Sequence, residues 1–146
     1  ILHGQVALPA GDILEPFIDI DDIADVVFAC LTNPELTNQL FEVTGPEAIT
    51  FRDCVNIISN AIDSPIAFLD QSSEQFVQEL RQQGMPEDVL WLMNELFSVV
   101  MDGRNSVVTN GVEQALGRPA RSFHQYVLKT AATGIWGSPS SVKKIG

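Results

Sequence analysis

The sequence predicts an α+β fold, mostly helical with a few short strands, built as a single domain over residues 1–133 with a flexible tail over 134–146. Three observations carry that expectation. Apolar residues recur at helical spacing in stretch after stretch, and a Ser, Thr, Asp or Asn stands in capping position before most of them. The runs that alternate or cluster like strands are short and bounded by Gly, Pro or Asp. With 45% hydrophobic and 18% charged residues in a chain of 146, the composition is that of a packed domain rather than a disordered one.

The opening segment Gln5 to Pro9 reads as a strand before the Ala10-Gly11-Asp12 turn, and Pro16 to Ile20 as a second. Asp21 or Asp22 then supplies the N-cap of a first helix that runs to about Thr32 and is stopped by Asn33-Pro34. That helix is apolar on nearly every side, so it has to be covered from several directions. Gln39 to Thr44 alternates like a half-buried strand and ends at Gly45-Pro46. Thr50 caps a second, one-sided helix, and Ile66 to Leu69 is a further short strand. Ser72 with Gln75 opens a third helix that Gly84 closes, and Pro86 stands in the first turn of a fourth reaching Met101. Ser106 to Val108 is a brief extended piece. Asn110 with Glu113 and Ser122 with Gln125 have the spacing to open the last two helices.

The formal charge of -11 excludes nucleic acid as a natural partner and opposes binding to an anionic membrane surface. No stretch approaches a membrane span. Acids crowd the first part of the chain, whereas Arg104, Arg118, Arg121, Lys129, Lys143 and Lys144 come late. A solvated acidic face is the plain reading of this asymmetry, and attraction between the two ends, within a chain or between copies, is the sharper one. Cys30 and Cys54 both fall in apolar helical patterns, as buried thiols do in a reducing, cytoplasmic setting. The chain begins at Ile1 rather than Met, as a processed product or a piece of a longer protein would.

Candidate chemistry is sparse. Asp19, Asp21, Asp22 and Asp25 could present oxygens to a divalent cation, yet they lack the spacing and glycine of a calcium loop, and helix capping accounts for at least one of them. His3 and His124 have no metal-ligand spacing, and no GxSxG elbow marks a hydrolase serine. No metal site is therefore expected. Met93, Phe97 and Met101 give the fourth helix a deformable apolar stripe, ordinarily core. Trp91 faces away from that stripe, either toward a protein partner or under the C-terminal tail.

Two motifs carry a resemblance. Pro16 to Val26 (PFIDIDDIADV), followed by Phe41 to Phe51 (FEVTGPEAITF), is similar to the C-terminal half of NmrA-like NAD(P)-binding proteins, in the atypical branch of the short-chain dehydrogenase/reductase superfamily. Leu116 to Phe123 (LGRPARSF) resembles the closing segment of that family. The resemblance spans about Gln5 to Ala132 and implies the substrate-side part of an atypical Rossmann-type reductase or epimerase. It implies NAD(P) for a full-length member, but the glycine-rich strand-to-helix turn that would hold it is not in these residues. The only GxxG, Gly134 to Gly137, follows the last expected helix.

The superfamily's Tyr and Lys stand four residues apart, whereas Tyr126 has Lys129 three residues on. A packed tyrosine beside a surface lysine is the plainer reading. No catalytic or cofactor-binding residue is expected in this chain. The resemblance places Phe76, Met85, Leu90, Phe97 and Met101 as walls of a pocket for a small apolar ligand. It also implies that Val26, Phe28 and Cys30 on the first helix, with Trp91, meet either a nucleotide-binding half or a second copy in a homodimer. The chain is then a substrate-side portion without hydride-transfer activity of its own, or alternatively a self-associating interaction or ligand-binding module.

Overall fold

The structure is a computed structural model that describes residues 4–136. Strand β1 (Gln5–Leu8) pairs in parallel with β4 (Ala67–Asp70), Gln5 opposite Ala67 and Leu8 opposite Asp70. A second, minimal ladder joins β2 (Leu14–Glu15) antiparallel to β3 (Ile49–Thr50). Between and after these lie helices α1 (Ile20–Thr32), α2 (Phe51–Ala61), α3 (Ser73–Gln82), α4 (Glu87–Glu95), α5 (Gly111–Leu116) and α6 (Phe123–Ala132). The helices pack in pairs: α1 on α5, α2 on α6, and α3 on α4. This is the α+β, mostly helical architecture that the residue pattern predicts.

Local chemistry explains most of the boundaries. Reciprocal capping boxes join Thr50 with Asp53, Ser72 with Gln75 and Ser122 with Gln125, each satisfying otherwise orphaned amides at a helix start. Such a cap contributes roughly 1 kcal/mol. Asn33 closes α1 and opens the 3-10 turn Pro34–Leu36. Gly117 ends α5 in the left-handed region at φ 67, where a side chain would be strained.

Several boundaries differ from expectation. The N-cap of α1 is Asp19, not Asp21 or Asp22, because only the Asp19 carboxylate reaches back over the first turn, to the Asp21 amide. Asn110 precedes α5 without a side-chain cap, and Pro86 is the N-cap residue of α4 rather than a member of its first turn. Beyond Glu95 the fourth helix widens into a π-helical turn, Leu96–Val100. The strand expected over Pro16 to Ile20 does not form, the ladder lying just before it at Leu14–Glu15, and Ser106 to Val108 joins no ladder. Gln39 to Thr44 forms no strand either: among the described residues no neighbouring strand takes up its backbone groups. Side-chain bonds serve it instead. The Thr109 hydroxyl donates to the Glu42 carbonyl, and the Thr109 amide donates to the Thr44 hydroxyl at 2.9 Å.

The core is divided. Val55, Ile62 and Ile66 form one cluster beneath β1 and β4, closed by Val6, Ile58, Phe68, Ala131 and Trp136. Leu90, Val112 and Val127 are fully buried elsewhere. Trp136 thus packs, with its ring 6.2 Å from that of Tyr126, whereas Ile135 is exposed. Residues 137–146 of the expected tail lie outside the described residues. Cys30 and Cys54 are free thiols, and burial, with Asp53 nearby adding to it, pushes the Cys54 thiol up to about 12. No helix among the described residues is long and apolar enough to cross a membrane.

Two glycines sit where backbones touch. A Cβ on Gly45 would lie 1.9 Å from the Phe17 carbonyl oxygen, and one on Gly111 would lie 2.1 Å from that of Glu42. The Gly45 amide also donates to the Pro16 carbonyl at 3.0 Å. Gly45→Ala should therefore push the 15–18 segment away and destabilise the domain by about 1–3 kcal/mol, as overpacking does. Urea unfolding followed by circular dichroism measures it, and an unchanged midpoint contradicts so close an approach.

Candidate functional site

The start of α1 is built from acids that find their partners far along the chain. Asp22, in the first helical turn, is 0% exposed. Its Oδ2 accepts from the Arg121 amide at 2.6 Å, and its Oδ1 meets Arg121 Nη1 at 2.5 Å and Arg118 Nη2 at 2.8 Å. The same two guanidinium groups reach Asp25 Oδ2, at 2.6 Å from Arg118 and 3.2 Å from Arg121. Lys129 pairs with Asp21, and its hydrogen bond and charge hold the Asp21 carboxyl below the usual carboxylate range. Of the late basic residues, Arg118, Arg121 and Lys129 therefore meet early acids inside one chain, whereas Arg104 pairs with Asp102 beside it, and Lys143 and Lys144 lie outside the described residues. Asp19 spends Oδ1 on the cap, while its buried Oδ2 has no hydrogen-bond partner among the described residues. Among those residues no group of His, Cys, Asp and Glu converges as a metal site.

The strand and loop leading into this cluster separate two cavities. One, of about 380 Å³, lies beside Phe17, Asp19, Ile20, Ser122, Phe123 and Tyr126. The other, of about 440 Å³, lies between β2 and the π-helical end of α4, with Glu15, Phe17, Phe51, Val100, Met101 and Asn105 in its wall. Both are of a size that takes a small organic molecule. In the second, Phe17 and Phe51 meet edge to face, centroids 5.0 Å apart at 82°. Glu15 is half-buried there, and desolvation pushes its carboxyl above the ordinary value.

The expected pocket residues do not share one cavity. Met101 is buried and lines the second, whereas Phe76 and Phe97 pack edge to face at 5.2 Å between α3 and α4. Leu90 is fully buried, and Met85 lies exposed in the α3–α4 connection. Of the residues expected at an interface, Val26 is buried on the inner side of α1, Cys30 is half-buried, and Phe28 and Trp91 are 68% and 65% exposed. Tyr126 borders the first cavity, His124 is exposed, and His3 and Gly137 lie outside the described residues.

Glu15, Phe17, Phe51 and Asn105 were not singled out by sequence reasoning. The signal for Glu15 is a lone acid inside the apolar run Ile13-Leu14-Glu15-Pro16-Phe17. For Asn105 there is none, since only the chain's path brings its loop to β2.

A dinucleotide pyrophosphate is held by free backbone amides at a glycine-rich strand-to-helix turn. At the strand-to-helix turns of Thr50 and Ser72, which carry no glycine, the N-cap and N3 amides are engaged by capping boxes, the Thr50 and Ser72 hydroxyls and the Asp53 and Gln75 side chains accepting from them.

No protein-family model matches the chain. It is 33% identical over 129 residues to the NAD(P)H azoreductase of Xenophilus azovorans, covering 88% of this chain and 45% of that protein. In fold it matches the NADPH-dependent quinone oxidoreductase of Escherichia coli complexed with NADPH, at TM-score 0.77 and 16% identity, over 88% of this chain and 46% of that one. The triphenylmethane reductase of Citrobacter sp. complexed with NADP(H) matches at TM-score 0.76 and 17% identity, over 89% and 45%. The chain thus spans about half the length of the relatives it matches. It corresponds to the C-terminal half of an NmrA-like NAD(P)-binding protein.

Removing one side of the Asp22 cluster leaves a buried charge. Arg121→Ala should cost about 3 kcal/mol, the lower end for a broken buried pair, because Arg118 remains and the guanidinium is partly solvated. Guanidinium unfolding reads this loss, and a change below about 0.5 kcal/mol removes the cluster as a determinant of stability. The Asp21 carboxyl, lowered in the folded state, contributes stability that is present above its unfolded value near 3.8 and is lost as pH falls through the lower folded value. Asp21→Asn should flatten the fall of Tm in that acid window and leave the slope near neutrality unchanged.

Proposed function

We propose that this chain is the substrate-side portion of an NAD(P)-dependent oxidoreductase, supplying the ligand cavity while a nucleotide-binding half supplies the cofactor. The observation that carries this reading is the outer face of α1. Ile20, Ala24, Val27 and Leu31 fall on one stripe of the helix with Phe28 beside it, and Ile20 and Leu31 are 73% and 81% exposed. Only the opposite side, with Asp22 and Val26, packs on α5. The extended segment 39–44, whose Leu40 is also exposed, adds backbone without a strand partner to the same account. An apolar helix face and an extended segment without a strand partner are both what a second half-domain would cover.

In that arrangement the cavity beside Met101 takes a small, largely apolar organic substrate, and the pyrophosphate is held outside this chain. The named chemistry of the azoreductase relative, reduction with NAD(P)H, supports an oxidoreductase; the substrate of that protein does not transfer with it. Cys30 and Cys54, which are not joined in a disulfide, fit a cytoplasmic setting. Calorimetric titration of the chain with NADPH and with NADH should show no micromolar binding. Such binding to the 146 residues alone contradicts the division of labour. An in-frame, glycine-rich strand-turn-helix immediately upstream of Ile1 is the matching expectation at the gene.

The same face favours a second reading, a self-associating module. Without a nucleotide-binding half, α1 should pair with α1 of another copy. Light scattering at micromolar concentration should then give a dimer, and Phe28→Glu with Leu31→Glu should return it to the monomer. A monomeric parent chain removes this reading.

A further inference from the structure

Glu15 is the only ionisable residue in the wall of the cavity between β2 and the end of α4. Among the described residues its carboxylate enters no hydrogen bond or ion pair. The cations on neighbouring elements are engaged elsewhere. Arg104 is held by Asp102 at 2.6 Å, and Arg52 lies over the Phe68 ring at 4.8 Å. A half-buried acceptor in an apolar wall, with no donor from the described residues, can take one from a ligand. The rest of the wall sets the ligand's shape. Phe17 and Phe51 offer ring faces and edges, Asn105 stands at the rim, and the π-helical turn carries Leu96 and Val100 along one side. Turns of that type recur at functional sites, because the extra residue widens the helix locally.

We infer that this cavity selects planar aromatic ligands bearing a protonated or N–H-bearing nitrogen, with the nitrogen on the Glu15 carboxylate and the ring against Phe17 and Phe51, and that it rejects aromatic carboxylates. The inference rests on the cavity being the substrate side of the protein. Three physical effects act in the same direction. A cation is attracted both by the carboxylate and by the aromatic faces. Its approach lowers the cost of keeping Glu15 ionised in a desolvated wall. The field of a chain with net charge -11 raises the local concentration of cations and opposes anions.

The test uses three probes of one shape and different charge: 1-naphthylmethylamine, 1-naphthylmethanol and 1-naphthoate, titrated calorimetrically into the chain near neutral pH. The amine should bind about tenfold more tightly than the alcohol, the factor that one charge-assisted hydrogen bond supplies, and the naphthoate should bind least. Glu15→Gln should erase the preference for the amine and leave the alcohol unchanged, and Val100→Phe should weaken both the amine and the alcohol by filling the cavity. Circular dichroism checks that each variant keeps its helices. The three-probe comparison on the parent chain decides the matter even if a variant does not fold. Equal affinities across the three probes, or a preference that survives Glu15→Gln, overturn the charge selection and leave the cavity reading standing. Failure of every probe to bind, or indifference of all of them to Val100→Phe, overturns the cavity reading and the selection with it.

Discussion

Burial of one carboxylate governs how this chain closes. Asp22 has no exposed surface, so it needs partners, and Arg118 and Arg121 are brought to it from the loop between α5 and α6. A buried acid in the first turn of a helix already has the favourable end of the helix dipole. What it lacks there is hydrogen-bond donors, and the Arg121 backbone amide completes the set. Meeting that need ties α1, near the start of the chain, to the segment that opens α6. The glycine at the end of α5 then makes physical sense, since the chain must turn sharply for both arginines to face back.

Once α1 is anchored by its acidic end, the backbone before it has little freedom. Residues 15 to 19 run between two cavities and against the backbone of Gly45, so close that no side chain fits at that glycine. Phe17 belongs to both cavities and contacts Phe51 and Phe123 on opposite sides. The anchoring that stabilises the fold therefore also sets the position of the cavity wall. Conversely, the anchored side of α1 consumes its polar and inner residues, and leaves Ile20, Val27, Phe28 and Leu31 facing away from everything the described chain provides.

Much of this was legible in the residues. Capping pairs such as Thr50–Asp53, Ser72–Gln75 and Ser122–Gln125 act over three positions, so sequence order alone specifies them. The same holds for the stop at Asn33-Pro34 and for the apolar excess of α1. Pairing between distant segments was less accessible. The alternation in Gln39 to Thr44 is the pattern of a strand, but a strand needs a neighbour, and pattern cannot supply one. The residues expected as pocket walls were placed by the resemblance along α3, α4 and the turn between them, with the fourth helix read as regular as far as Met101. The π-helical turn rotates its last residues relative to an α-helix, which leaves Met101 at the cavity and Phe97 edge to face with Phe76.

By itself, then, the sequence determined the helices, the capping boxes of α2, α3 and α6, the α+β class and the family motifs, because those depend on residues a few positions apart. Only the tertiary structure decided which acids are paired and which stand alone in a cavity wall. The reason is the range of the forces involved: capping and amphipathic periodicity are local, whereas the fate of a carboxylate depends on what the fold places within hydrogen-bonding distance of it. Asp19, Asp22 and Glu15 are chemically alike and close in sequence. Asp19 ends as a helix cap on the amide two residues on, Asp22 inside a double-arginine clamp that a distant loop supplies, and Glu15 half-buried in a cavity wall with no donor among the described residues.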